Sequence, residues 1–405
     1  MTVKLQQIRL IRPENILLLL ITAIFLISGS SCREDFLWGT RVGDLTYSGE
    51  VKLLGAQEMS LLSEVTDNGM VFSASNAELA ELNNQSIIVA GVSEITPSGL
   101  IRRVTGIRTE ESSLILETAE ATLTDVVKEG VITLKLKLLE RNFSLRSRMD
   151  GVLVTGSGKA FEGLAVTLDN FELFRDGTRR AAVNGAIGIG PEIDLTIHIS
   201  SSRITEIRTV TTLNKVDEIT VSSNGAFSGG RRHVAAEFVH TPITVDGLVF
   251  TPEVRIICGF SGIVSGAVTS GVRQDRVITS ELHYDNSEWS AIPPVASGVF
   301  DFSAPSISEN SDLKVYSGPE ITINLFGKPL EIVEATGYYL LEARKSASPM
   351  WRLLIGSEGH NSMESLFLGL DEDYSSEIEI AEEEIANADD VKYPDRAVYI
   401  LMIRV

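Results

Sequence analysis

Apolar residues in this sequence recur at every second position in run after run. In ITLKLKLLE, Ile132, Leu134, Leu136 and Leu138 share one face, while Thr133, Lys135 and Lys137 share the other. DLTIHIS repeats the arrangement with Leu195, Ile197 and Ile199, and DEITVSS, GAIGIG, RVITSELHY and PEITINLFG are similar. Successive side chains of a strand point to opposite sides of its sheet, so strict alternation over short runs marks half-buried strands. Turn signals separate the runs: Asp-Asn-Gly at 67–69, Pro-Ser-Gly at 97–99, Asp-Gly at 150–151, 176–177 and 246–247, Ser-Asn-Gly at 223–225 and Ser-Gly-Pro at 317–319. This spacing predicts an all-β protein of antiparallel meanders, arranged as a sandwich or barrel-like sheets with a few short helices. Helical pattern is confined to Asn76–Leu82, where Asn76 can cap, to Thr122–Lys128, and to Glu377–Asn387, whose opening alternates like a strand.

Composition narrows the function classes. The chain has 405 residues and a formal net charge of −20, which argues against binding a phosphate backbone through clustered Lys and Arg. Two cysteines, Cys32 and Cys258, are too few for a disulfide scaffold or a thiolate zinc module. Cys258 lies in the apolar run VRIICGF and reads as a buried, inert thiol.

The amino terminus is an address. A short basic segment, MTVKLQQIRLIRPEN, precedes an apolar run at Ile16–Ile27 that only Thr22 interrupts. Twelve residues are too few for a stable bilayer span, which takes roughly 20. Ser28, Gly29, Ser30 and Ser31 follow, so residues 1–31 read as a secretory signal peptide. Cys32 comes directly after these small residues. That arrangement resembles a bacterial lipoprotein lipobox, in the looser Ser-Ser-Cys form of the Bacteroidota; Gly29 departs from the usual Leu, Val or Ile. Arg33, Glu34 and Asp35 resemble the acid-rich surface-export signal of the same group. The resemblance implies lipidation at Cys32, with residues 32–49 as anchor and tether and a mature chain on the outer membrane, exposed at the cell surface. One acyl chain binds a membrane only marginally, whereas two or three on one residue hold firmly.

Past the tether, residues 50–130 read as a small β-rich domain with strands around 50–73, 86–92 and 100–118. Residues 131–405 read as a larger antiparallel β domain that ends in the apolar strand VYILMIRV at 398–405. Gly99, Leu100, Ile101, Arg102, Arg103, Val104 and Thr105, followed by Ala121, Thr122, Leu123 and Asp125, are similar to a segment that recurs in large exported bacterial surface proteins of unassigned function. PEVRIICGFSGIVSGAVTSGV (252–272), HYDNSEW (283–289) and SPMWRLLIGSEG (348–359) occur in the order seen in that group. The resemblance implies an exported β-rich surface protein and no catalytic residue. Physically, Leu100, Ile101, Val104 and Ile107 can face a core with Arg102, Arg103 and Arg108 outward. Thr122 and Asp125 have the spacing of a capping box.

Motifs for chemistry are sparse. Gly-Ser-Gly at 156–158 is no nucleophile elbow, and Gly185, Gly188 and Gly190 have no following helix to receive a dinucleotide. His198, His233, His240, His283 and His360 form no close metal pair, and the seven-residue step from His233 to His240 predicts opposite faces of a strand. Residues 371–390 hold ten acids and no Lys or Arg; Asp371, Asp373, Ser375 and Glu377 alternate without the glycine turn of a calcium loop, so the stretch reads as an exposed acidic face. Trp289 with Tyr284, and Trp351, are the candidate ligand-binding aromatics. The sequence therefore predicts a lipid-anchored envelope protein that acts as a non-catalytic interaction or structural module. It needs no cofactor, and its partners are the membrane and a surface polymer or protein. The rivals are a glycan binder on those aromatics and an extracellular hydrolase around His283 and Asp285.

Overall fold

The computed structural model describes residues 41–154 and 163–389. The signal peptide, Cys32 and the 398–405 run lie outside the described residues. Within them no helix is long and apolar enough to cross a membrane.

The described residues open with two short strands, β1 (Arg41–Val42) and β2 (Leu45–Tyr47). A small six-stranded sheet follows, built from β3 (Val51–Leu53), β4 (Leu62–Thr66), β5 (Gly69–Phe72), β6 (Ile87–Ala90), β7 (Leu100–Glu110) and β8 (Ser113–Glu120). Its order is β3-β6-β7-β8-β5-β4, and β3 and β6 run parallel. Helix α1 (Ala56–Leu61) corrects the expectation of strands throughout 50–73: Glu58 sits at its third position and accepts from the Gly55 N–H, which closes the first turn. At 76–82 a single 3₁₀ turn, Leu79–Glu81, forms, and Asn76 Oδ1 accepts from the Leu79 N–H as its sequence position predicts.

Helix α2 (Leu123–Val126) has the expected capping box, with Thr122 Oγ1 accepting from Asp125 N at 3.2 Å and Asp125 Oδ2 accepting from Thr122 N at 2.9 Å. Ile101 and Val104 are buried, but Ile107 is 39 % exposed, because β7 extends beyond the core there. Strand β9 (Val127–Lys137) then runs through the boundary drawn at residue 130, and it pairs with both β2 and a strand of the main body.

That body consists of two large antiparallel sheets packed as a sandwich; the described strands do not close into a barrel. Its strands are β10 (Phe143–Arg148), β11 (Val152–Val154), β12 (Leu164–Asp176), β13 (Arg179–Ser200), β14 (Arg203–Ser223), β15 (Phe227–His240), β16 (Ile243–Val245), β17 (Leu248–Val264), β18 (Val268–Asp285), β19 (Glu288–Ile307), β20 (Ser311–Leu325), β21 (Lys328–Ala343), β22 (Trp351–Met363) and β23 (Tyr374–Asn387). One sheet runs β1-β2-β9-β13-β14-β18-β19, with β12 on the other half of β13 and β11 beyond it. The second runs β10-β15-β17-β20-β21-β22-β23, with β16 on β17. The alternation read from the sequence is what buries their facing sides: Ile132 and Leu134 of β9 and Leu195, Ile197 and Ile199 of β13 all belong to the core.

Register fixes which residues share an end of the body. Ser200, Arg203, Asp285 and Glu288 meet at one end, where Gly130 pairs with both Leu45 and Ile199. The six-stranded sheet touches the same end, since Lys328 pairs with Glu120 at 2.6 Å. Asp176, Arg179, Ser223, Val268 and Ile307 mark the opposite end.

Two sequence expectations are overturned by bulges. Glu377–Asn387 is the edge strand β23, not a helix, and its register on β22 shifts twice. Those shifts break the period-two signal and leave a glutamate-rich composition that mimics a helix. The acidic stretch is exposed as expected, at Asp371, Glu372, Asp373 and Glu377, but part of it lies on a paired strand, where Glu382 accepts from the Tyr338 hydroxyl at 3.1 Å. In β15 a bulge at Ala235 adds one residue between His233 and His240, so both histidines point to the core side instead of opposite sides.

Candidate functional site

The aromatic candidates divide between the two ends. Tyr284 lies directly across from Trp289 in the β18–β19 pair, with ring centroids 4.9 Å apart. Trp289 also stacks on Tyr374 of β23 at 5.1 Å and 19°. The three rings therefore close the seam between the edge strands of the two sheets, and Trp289 spends its ring faces on neighbours. Trp351 is 5 % exposed and meets Phe302 edge-on at 6.4 Å. Phe302 lies thirteen residues along β19 from Trp289, about 40 Å at strand rise. The structure thus joins Tyr284 to Trp289 and separates both from Trp351, so no single aromatic platform forms.

The histidines fall into structural roles. His233 Nε2 lies 3.2 Å from the Leu173 carbonyl, and His240 packs edge-on against Phe143 at 4.9 Å. On the outer face of the nine-stranded sheet, Glu206 stands between His283, at 3.3 Å, and His198, at 3.9 Å. The partner of His283 is this glutamate and not Asp285. Among the described residues no group of three or more His, Cys, Asp or Glu is placed to hold a metal ion. Asp373 of the acidic stretch accepts from the Ser365 N–H at 2.7 Å, fastening the 3₁₀ turn Leu366–Leu368. Arg103 lies 2.7 Å from Asp125, tying β7 to the capped turn of α2.

The most unusual chemistry in the fold is a polar layer between the two large sheets, which no sequence motif announces. Lys215 and Asp217 of β14 are both buried, with Nζ and Oδ2 3.0 Å apart. Lys215 also donates to the Ser317 carbonyl of β20 at 2.7 Å, and the Ser317 hydroxyl donates to Asp217 Oδ2 at 2.6 Å. Next to them on β18, Arg276 donates from Nη1 to the Gly356 carbonyl of β22 at 2.6 Å and to the Ser357 hydroxyl, and lies 4.7 Å from the Phe300 ring centre. Gly337 of β21 makes the room: a Cβ there would stand 3.0 Å from Lys215 Nζ, 3.1 Å from Gln274 Oε1 and 3.3 Å from Arg276 Nη1.

Burial dominates the electrostatics of this layer. It holds the Lys215 ammonium below the usual lysine range, against the pull of Asp217. It lowers Arg276 to about 10 and pushes the Cys258 thiol up to about 12. Asp217 Oδ1, Gln274 Oε1 and Arg276 Nη2 are buried without a hydrogen-bond partner. Two cations and one carboxylate, each bonded across to the opposite sheet, form a pin between the sheets; desolvation offsets much of the attraction in such a buried pair. A signal for it was present in the sequence: Lys215 and Asp217 keep the same phase as Leu213 and Ile219, which flank them on the buried face.

A shallow depression of about 550 Å³ lies on the outer face of the nine-stranded sheet, over β9, β13 and β14. Its charges are already paired, Lys135 with Asp194 at 2.8 Å and Arg208 with Glu281 at 2.7 Å. No protein-family model matches the chain, and no curated protein and no solved structure matches it significantly.

Proposed function

We propose that this protein is a lipid-anchored cell-envelope spacer: a non-catalytic module that holds an interaction surface away from the membrane. One geometric relationship supports the reading. Arg41, where the described chain starts, belongs to the β1–β2 hook at one end of the long strands, and the β12–β13 hairpin turn at 176–179 and the β14–β15 crossing between sheets at 223–227 lie at the other. Strand β13 has 22 residues, about 70 Å at strand rise. Eight residues separate Cys32 from Arg41, a reach of at most about 30 Å. A lipid on Cys32 would therefore keep the hook end near the membrane and carry the far end well clear of it.

The test joins two measurements on intact cells. A fatty-acid probe should label the wild-type chain and not Cys32→Ala, and an epitope inserted beside Gly177 should be reached by antibody from outside. Equal labelling of both chains would remove the anchor. A labelled protein whose epitope is hidden until the outer membrane is opened would remove the surface role.

A further inference from the structure

Glu331 stands apart from the polar pin. It shares the inner face of β21 with Val333, Ala335 and Gly337, and its exposure is 0 %. Both of its oxygens lie 2.9 Å from one hydroxyl, Thr209 Oγ1 of β14, in the opposite sheet. A carboxylate offers about four acceptor sites, and a single hydroxyl supplies one proton.

Among the described residues, no element packed around it brings a compensating cation. On β14 the inner face reads Ile207, Thr209, Thr211 and Leu213, and the first charges, Lys215 and Asp217, come six residues on, about 20 Å away. On β18 it reads Leu282, Ser280 and Ile278 before Arg276, whose partners Gly356 and Ser357 lie opposite Tyr338 and Gly337. Strand β20 places Ile323 directly beside Glu331, and β22 places Met363 there with Asn361 two residues away. Beyond Met363, β23 places Tyr374, a neutral phenol, and the nearby acids Glu364 and Asp373 are exposed. Thr211 Oγ1 and Asn361 Oδ1, on the same inner faces, are also buried without partners.

We propose that Glu331 is a pH-sensitive latch between the two large sheets: the closed sandwich carries it as the neutral acid, and its ionisation loosens the packing around Thr209. Burial pushes this carboxyl from 4.5 up to about 7, and the Thr209 bond only partly opposes the rise. The folded chain then holds the proton about 300-fold more tightly than the unfolded chain. The sign follows from linkage. The contribution is fully present below pH 4.5, declines as the unfolded chain releases the proton, and is gone above about pH 7. The latch does not depend on the anchoring proposed above.

The experiment compares wild-type chain with Glu331→Gln between pH 5 and pH 9. The wild-type unfolding midpoint should fall across neutrality more steeply than that of the variant, and the variant should be the more stable of the two at pH 9. Hydrogen exchange in the wild type should quicken above neutral pH in β14 around Thr209 and in the first half of β21, and stay slow in Glu331→Gln. Parallel pH profiles, or a loss of protection spread evenly over the sandwich, would overturn the proposal. If the glutamine variant does not fold, carboxyl-carbon NMR titration of the wild type decides: a midpoint near neutrality supports the latch, and one in the ordinary glutamate range overturns it.

Discussion

Lys215 and Asp217, two residues apart on one strand, point into the sandwich together and meet at 3.0 Å with the Ser317 carbonyl and hydroxyl of the opposite sheet closing the group. Breaking such a pair differs from replacing it. Asp217→Ala leaves a buried ammonium facing a carbonyl and should cost about 3–5 kcal/mol. The double change Lys215→Met with Asp217→Leu should cost much less than the single one. Urea unfolding of the three chains checks this; a single variant as stable as wild type would show that the pair bears no strain of burial.

Gly337→Ala drives a methyl group against Lys215 Nζ, Gln274 Oε1 and Arg276 Nη1 at 3.0–3.3 Å. The ends of Lys215 and Arg276 are held by bonds to Ser317, Gly356 and Ser357, so these two cannot retreat freely. A loss of about 1–3 kcal/mol is expected, as for overpacking in a filled core. An unchanged melting temperature would mean the layer has slack.

Cys258 is fully buried and its thiol is held up to about 12, so almost no thiolate exists at any ordinary pH. In the folded chain a maleimide or disulfide reagent should leave Cys258 untouched, and in denaturant it should label it at the rate of a free cysteine. Fast labelling of the native protein would contradict the packing of β17 against β20.

Thr122→Ala removes the hydroxyl that accepts from Asp125 N and unties the turn that Arg103 braces. About 1 kcal/mol should be lost, and Thr122→Ser should recover most of it. Thermal melts of the two variants separate a capping role from a packing one, since serine keeps the oxygen and drops the methyl.

How much was legible in the sequence depended on whether neighbouring strands stayed in register. Where they did, as in ITLKLKLLE and DLTIHIS, the alternation marks the core side: Ile132, Leu134, Leu138, Leu195, Ile197 and Ile199 are buried, and Leu136 is partly buried against them. Where a strand bulged, the period slipped: Ala235 turned His240 to the same side as His233, and the shifts in β23 disguised an edge strand as a helix. The glutamates of β23 have a strand-level reason, because charge on an exposed edge discourages pairing with other chains. The capping box of α2 was legible because it is local, needing only Thr122 and Asp125 three residues apart. The site was less legible for the opposite reason. The pin joins β14, β18, β20 and β22, and no spacing along the chain announces that Lys215, Ser317 and Arg276 meet. Only the phase of Lys215 and Asp217 with Leu213 and Ile219 hinted that two charges belonged inside.

The described chain starts at the hook end and its last strand finishes at the opposite end, where Ala388 donates to the Trp351 carbonyl. Tension applied between residues 41 and 389 would therefore run lengthwise along the strands. It would load many ladder bonds in shear at once instead of unzipping them singly, the geometry in which a tether resists being torn.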